Sequence, residues 1–93
     1  MDMDVLKIKE VRRKLLRNLN ILYPSPLRLK SLYNSICNLS YSKDLFAKDI
    51  SYFYNRNWIE FIDDKIGGED EFMDKVIILT AEGQKIAESM TEI

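Results

Sequence analysis

Two short apolar runs place the strongest constraint on the fold of this chain. They are WIEFI at 58–62 and VIILT at 76–80, and the pair Gly67-Gly68 lies between them. The alternation in WIEFI is typical of a strand, the short apolar run VIILT suits a second strand, and a glycine pair between two strands indicates a turn. We therefore predict a β-hairpin with a long tip. A short extended piece is also predicted at 27–29.

Apolar residues elsewhere recur at spacings of three and four, which is typical of amphipathic helices. The pattern predicts helices at 4–22, 30–38, 43–56 and 81–91. The side chains predicted to face inward are those of Val5, Ile8, Val11, Leu15, Leu19, Leu22, Leu32, Tyr33, Ile36, Leu39, Phe46, Ile50, Phe53, Tyr54, Ile86, Ala87 and Met90.

Residues that suit helix ends lie at the predicted boundaries. The sequence YPSP at 23–26 ends the first helix, because proline disfavours helix at the residue before it. Ser42 and Thr80 are good N-caps for the third and fourth helices, and Asn57 tolerates the left-handed conformation that follows a helix. Gly83 early in the last helix costs about 1 kcal/mol relative to alanine, which indicates close approach to another element.

Length and composition narrow the class of protein. Ninety-three residues, 46% of them hydrophobic, predict a single domain over 1–93 with a modest core, and a homodimer would add stability. No membrane span or signal peptide is visible, and with one cysteine a reduced, cytoplasmic setting is expected. Cys37 is predicted to be a small buried residue. With one cysteine and no histidine, neither a disulfide nor a zinc site is expected within one chain, and no cofactor is predicted.

Charge is unevenly distributed along the chain. Residues 1–56 hold 11 Lys/Arg and 5 Asp/Glu, a net +6, whereas residues 57–93 hold 3 and 10, a net −7. A basic half can meet nucleic acid, which an acidic half would repel. The first helix is decorated by basic residues, with only Glu10 opposing them, and this face is either solvated or binds phosphate or a partner. Its basic residues are Lys7, Lys9, Arg12, Arg13, Lys14 and Arg17.

The sequence resembles winged helix-turn-helix domains. The resemblance lies in LYNSICNLSYSKDLFAKDISYFYNRNWIEFI and in VIILTAEGQKIAE, which looks like an L-T-x-x-G-x-x-x-A segment, and it covers about residues 5–91. At finer grain the chain looks like small winged-helix proteins of Mu-like phages and prophages. The resemblance implies an α+β, mainly helical fold, with a two-stranded or three-stranded antiparallel wing and a C-terminal helix. It also implies DNA binding through the third helix.

The third helix has polar residues on the side opposite its apolar stripe. Opposite its apolar stripe the helix carries Asp44, Lys48, Ser51, Tyr52 and Asn55, which is either a DNA-reading face or an ordinary polar face. Lysine can contact phosphate or guanine, asparagine can pair with adenine, and serine can hydrogen-bond to either. Asp44 can neutralise Lys48 at i, i+4. The candidate DNA-binding residues are Arg28, Lys30, Ser42, Lys43, Lys48, Ser51, Asn55 and Arg56, with Arg28, Lys30 and Arg56 assigned to phosphates.

The predicted wing is acidic. Residues 63–74 hold six carboxylates against Lys65 alone, a net −5, and such a segment is repelled by the DNA backbone. It is either a solvated tip or a surface for a protein partner, which includes the basic first helix of a second copy. An EF-hand starting at Asp63 is rejected, because Lys65 and Gly67 occupy ligand positions. Nothing shapes a pocket for acid–base catalysis either.

Two functions from different classes follow from these observations. The first is a winged-helix DNA-binding protein, a small transcriptional regulator of phage or bacterial type that binds double-stranded DNA as a dimer. The second is a winged-helix protein–protein module, antirepressor-like or an assembly factor, that uses the acidic segment 63–74 and does not bind DNA. No constellation supports an enzyme. Tyr41 and Tyr52 are expected to be partly exposed, as interface residues or as tyrosines at the core edge.

Overall fold

Four helices and three strands make up the computed structural model, which describes residues 5–36, 41–62 and 72–89. In chain order the elements are α1 Val5–Leu22, β1 Leu27–Arg28, α2 Leu29–Asn34, α3 Lys43–Asn55, β2 Ile59–Ile62, β3 Val76–Leu79 and α4 Ala81–Ser89. Every predicted element is present, although α2 begins one residue earlier and ends at Asn34 instead of 38. The predictions for Cys37, Leu39, Met90, the segment 63–71 and the side chain of Val5 lie outside the described residues.

The strands form one antiparallel sheet in the order β1-β3-β2. The central strand β3 pairs with β2 from Ile59↔Leu79 to Ile62↔Val76, and with β1 through Leu27↔Ile77 and Arg28↔Val76. The extended piece predicted before α2 is therefore the third strand. These observations confirm an α+β fold and the three-stranded version of the predicted sheet.

The helix ends form where their capping residues were predicted. The Ser42 side chain accepts a hydrogen bond from the backbone N–H of Leu45 at 3.2 Å. Thr80 Oγ1 accepts from the N–H of Gly83 at 2.9 Å and donates to the carbonyl of Asn57 at 2.6 Å. Thr80 thus caps α4 and also ties its start to the end of α3. Asn57 adopts φ 64°, the left-handed conformation predicted for it.

Asn57 provides a test of this backbone turn. We expect Asn57→Gly to leave the free energy of unfolding unchanged or slightly raised, because glycine adopts positive φ without steric cost. Asn57→Val is expected to lower it by about 2 kcal/mol, because a β-branched side chain is strained in that conformation. Urea denaturation of the two variants measures both changes. Equal stability of the two would contradict the assigned backbone conformation.

The core lies between the helices and the inner face of the sheet, and most of the predicted inward positions belong to it. Leu16 and Leu29 are also buried, which the helical pattern had not singled out, and so is Trp58, an apolar residue of the first predicted strand run. The full set of buried apolar residues is Val11, Leu15, Leu16, Leu19, Leu29, Leu32, Ile36, Tyr41, Phe46, Ile50, Phe53, Trp58, Ile59, Met73, Ile77, Leu79, Ile86 and Ala87.

Three apolar predictions were wrong. Leu22 is 43% exposed, because it ends α1 beyond Leu19, the last residue of that helix in the core. Tyr54 is 53% exposed, because the buried stripe of α3 is centred on Phe46, Asp49, Ile50 and Phe53, and Tyr54 falls outside its edge. Tyr41 was expected to be partly exposed but is only 2% exposed. It is buried because its hydroxyl donates to the buried carboxylate of Asp49.

Candidate nucleic-acid interface

The outer face of α3 carries the polar side chains that were predicted to read DNA. Asp44, Lys48, Ser51 and Asn55 are all exposed, and their spacing of three and four places them on one side of the helix. The opposite side packs into the core through Phe46, Ile50 and Phe53. The core therefore fixes the rotation of α3, and that rotation presents a polar strip to solvent.

Lys48 does not pair with the carboxylate one turn before it. Asp44 and Lys48 form no ion pair in the part of the chain that the structure describes, where the ion pair present is that between Arg12 and Asp49. The expected neutralisation of Lys48 is therefore absent. The Lys48 ammonium is a charge exposed to solvent on the outer face of α3.

The residues predicted near the helix starts are also exposed. Ser42 and Lys43 lie at the N-terminus of α3, and Lys30 lies in the first turn of α2. The Ser42 hydroxyl already accepts from the Leu45 N–H. Its clear role is helix capping, and its own proton remains available to donate to a ligand.

Arg28, which was assigned to a phosphate, makes contacts within the fold. It is half-buried, and its Nη1 donates to the carbonyl of Asp74 at 2.8 Å. The neighbouring backbone makes the same connection, because Leu29 N–H donates to Lys75 and Lys30 N–H to Met73. Arg28 therefore helps to attach β1 to residues 72–75, which sequence reasoning did not anticipate.

A buried carboxylate joins α1 to α3. Asp49 Oδ1 accepts from Arg12 Nε at 2.8 Å, and Asp49 Oδ2 accepts from the Tyr41 hydroxyl at 2.6 Å. The Asp49 side chain is 4% exposed and that of Arg12 is 22% exposed. Burial, and then the hydrogen bond to Asp49, raise the pKa of Tyr41 well above its ordinary value. The phenol therefore stays protonated and keeps donating to Asp49.

Two arginines lie over a single aromatic ring beside this carboxylate. The guanidinium carbon of Arg12 is 4.1 Å from the Tyr52 ring centroid, and that of Arg56 is 4.5 Å from the same centroid. Arg56 also lies over Trp58, at 5.5 Å. Tyr52 was placed on the outer face of α3 with Ser51 and Asn55. It is half-buried at the edge of that face, with its ring centroid 5.7 Å from that of Trp58, and this agrees with the partial exposure expected for it.

Sequence reasoning missed the roles of Arg12 and Asp49. Arg12 was grouped with the outer basic residues of α1, and Asp49 was not singled out. A signal existed, because Asp49 follows Phe46 by three residues and adjoins Ile50 on the apolar stripe of α3. A carboxylate in such a position needs a charged or hydrogen-bonding partner. The periodicity indicates that need but cannot identify Arg12, which lies 37 residues away.

The outer face of α1 is basic, as its sequence predicted. Lys7, Lys9, Arg13, Lys14 and Arg17 are exposed, and Glu10 is the acidic residue among them. Together with Lys43, Lys48 and Arg56 they give the described helices α1 and α3 an outward surface that is mostly positive. Such a surface attracts polyanions, and the attraction weakens as salt is added.

Other kinds of site find no support in the described residues. Among residues 5–36, 41–62 and 72–89, no group of three His, Cys, Asp or Glu side chains is placed to hold a metal ion. None of the helices in that part of the chain is long and apolar enough to cross a membrane.

No family model matches the sequence, and no curated protein or solved structure is significantly similar to it.

Proposed function

We propose that this protein is a winged-helix DNA-binding protein and acts as a small transcriptional regulator of phage or bacterial type, in the cytoplasm. In this proposal, α3 enters the major groove of double-stranded DNA and a homodimer binds two half-sites. The observation that carries the proposal is the outer face of α3, where Lys48, Ser51 and Asn55 are exposed together on a helix fixed by the core. A helix of this width fits the major groove.

Each side chain has a definite task in this proposal. Asn55 is suited to adenine and Lys48 to guanine or phosphate, while Ser51 can hydrogen-bond to either base. Lys30, Lys43 and Arg56 contact phosphates. Arg28 donates a hydrogen bond to the Asp74 carbonyl. In this proposal it therefore holds in place the strand that precedes α2.

A charge reversal on the outer face of α3 tests the proposal. We expect Lys48→Glu to weaken binding to an AT-rich duplex by about 100-fold at low salt, because it replaces an attraction to phosphate with a repulsion. Fluorescence anisotropy of a labelled duplex measures the change. Lys85→Glu, on the exposed side of α4, is the matched control and should have a much smaller effect.

The salt dependence of duplex binding by the wild type is the stronger test of the proposed function. DNA binding through these residues predicts that log Kobs falls linearly with log salt, with a slope set by the number of phosphate contacts. A slope near zero, or equal losses for Lys48→Glu and Lys85→Glu, would rule out the assigned surface.

A second candidate function is a protein–protein module that does not bind DNA. The specific observation in its favour is the exposed aromatic pair Tyr54 and Phe61, whose ring centroids are 5.3 Å apart. Ile62, the next residue of β2, is also exposed. The acidic segment 63–74 follows that strand in sequence. If this function is correct, Phe61→Ser should abolish self-association or partner binding in sedimentation experiments, while the wild type shows no affinity for duplex at low salt.

A further inference from the structure

Arg12 and Arg56 hold unused hydrogen-bond donors beside one ring. Arg12 donates from Nε to Asp49, and neither guanidinium makes another hydrogen bond or ion pair within the described residues. A guanidinium carries five N–H donors, so most of the donors of this pair are available. Their positions over the Tyr52 ring restrain both planar groups, which reduces the conformational entropy lost when a ligand binds.

A stripe of positive charge begins next to this pair on α1. Lys9, Arg13 and Arg17 follow one another at intervals of four residues, and all three are exposed. Like charges at this spacing destabilise a helix by a few tenths of a kcal/mol per pair. No ion pair or hydrogen bond offsets that repulsion for these three side chains in the part of the chain that is described. We call these three residues the α1 stripe.

We propose that a nucleic-acid backbone crosses the junction of α1 and α3, where Arg12 and Arg56 clamp its phosphates, and then follows the α1 stripe. The proposal rests on the proposed DNA binding and extends the interface from α3 onto α1. It assigns Tyr52 as the positioning residue of the clamp. The clamp adjoins the reading face of α3, because Lys48 precedes Tyr52 by one helical turn.

The chemistry of the clamp favours phosphate over an acidic protein segment. Planar guanidinium groups match the oxygens of phosphate in bidentate geometry, and an exposed Arg56 without a carboxylate partner suits a ligand that is absent from the folded chain. The competing occupant is the acidic segment 63–74 of a second copy, and the experiment below separates the two.

Removing the charge of Arg56 tests the clamp without disturbing the core. Arg12 is unsuitable, because its loss leaves Asp49 buried without its ionic partner. We expect Arg56→Gln to weaken duplex binding about tenfold and to reduce the slope of log Kobs against log salt by about 1. Lys85→Gln removes an equivalent exposed charge from α4 and should leave the slope unchanged. Tyr52→Leu keeps both arginines, so it should weaken affinity while the slope stays near that of the wild type.

The double variant Arg13→Gln/Arg17→Gln tests the α1 stripe, and we expect it to reduce the slope by about 2. The proposal is overturned if the wild type binds duplex and Lys48→Glu weakens that binding, yet Arg56→Gln and the double variant match the Lys85→Gln control. It is also overturned if the double variant leaves duplex binding intact and instead abolishes salt-sensitive self-association in sedimentation velocity, since the stripe would then bind a second copy. Absence of duplex binding by the wild type refutes the proposed function itself.

Discussion

Replacing Asp49 with alanine is expected to lower the free energy of unfolding by about 3 kcal/mol, one of the two largest effects that the structure predicts for a single substitution. The carboxylate accepts from Arg12 at 2.8 Å and from Tyr41 at 2.6 Å in a site that water barely reaches. Its loss leaves a buried phenol without an acceptor and a partly buried guanidinium without a counter-charge. The partial exposure of Arg12 keeps the cost at the lower end of the range for buried ion pairs.

Asp44→Ala is the matched control, because it removes the same side chain from the exposed face of the same helix. We expect Asp44→Ala to change the free energy of unfolding by no more than about 0.5 kcal/mol, because the higher helix propensity of alanine offsets the loss of a favourable charge in the first turn. Urea denaturation gives both values, with equal m-values as the check that unfolding remains two-state. Equal destabilisation by the two substitutions would mean that the Arg12–Asp49–Tyr41 network contributes nothing.

Replacing Gly83 with alanine is expected to lower the free energy of unfolding by about 3 kcal/mol, although alanine is the better helix former. A Cβ at this position would lie 2.0 Å from the carbonyl oxygen of Trp58 and 2.9 Å from a methyl carbon of Leu79. The Trp58 carbonyl is held by the N–H of Thr80 at 2.9 Å, so it cannot move without breaking that bond. The start of α4 must shift instead, and overpacking of this kind outweighs the gain of about 1 kcal/mol in helix propensity.

Lys85→Ala on the exposed side of α4 separates the steric effect from helix propensity. We expect it to change the free energy of unfolding by no more than about 0.5 kcal/mol. Thermal unfolding followed by circular dichroism at 222 nm (a helix signal) ranks the two variants. If Gly83→Ala proves as stable as the wild type, the close approach of α4 to the Trp58 carbonyl is contradicted.

Substitution of Asp49 also bears on the proposed interface. Asp49 connects α3 to α1 through Arg12, and Arg12 in turn lies over Tyr52 beside Arg56. The buried ion pair therefore fixes the place of one arginine of the proposed clamp. Asp49→Asn is less disruptive than Asp49→Ala. If the clamp depends on the orientation of Arg12, this substitution should lower the free energy of duplex binding by more than it lowers the free energy of unfolding.

The sequence carried enough information for the exposed face of α3. Phe46, Ile50 and Phe53 recur at helical spacing, so the positions opposite them, among them Lys48 and Asn55, had to face solvent once the helix packed. Helical periodicity carries no information on contacts between elements. Arg28 was assigned to a phosphate from its place before α2, and the hydrogen bond from its guanidinium to the backbone carbonyl of Asp74 was not predicted.

By itself the sequence determined the local structure of this protein. Helical periodicity, the capping residues Ser42 and Thr80, and the left-handed Asn57 act over a few neighbouring residues, so their effects can be read without knowing the fold. Only the tertiary structure decided that Arg12 meets Asp49 and Tyr52, because that pairing spans 37 residues or more and depends on how the helices dock. Helix docking results from burial summed over the whole core, which no local pattern encodes.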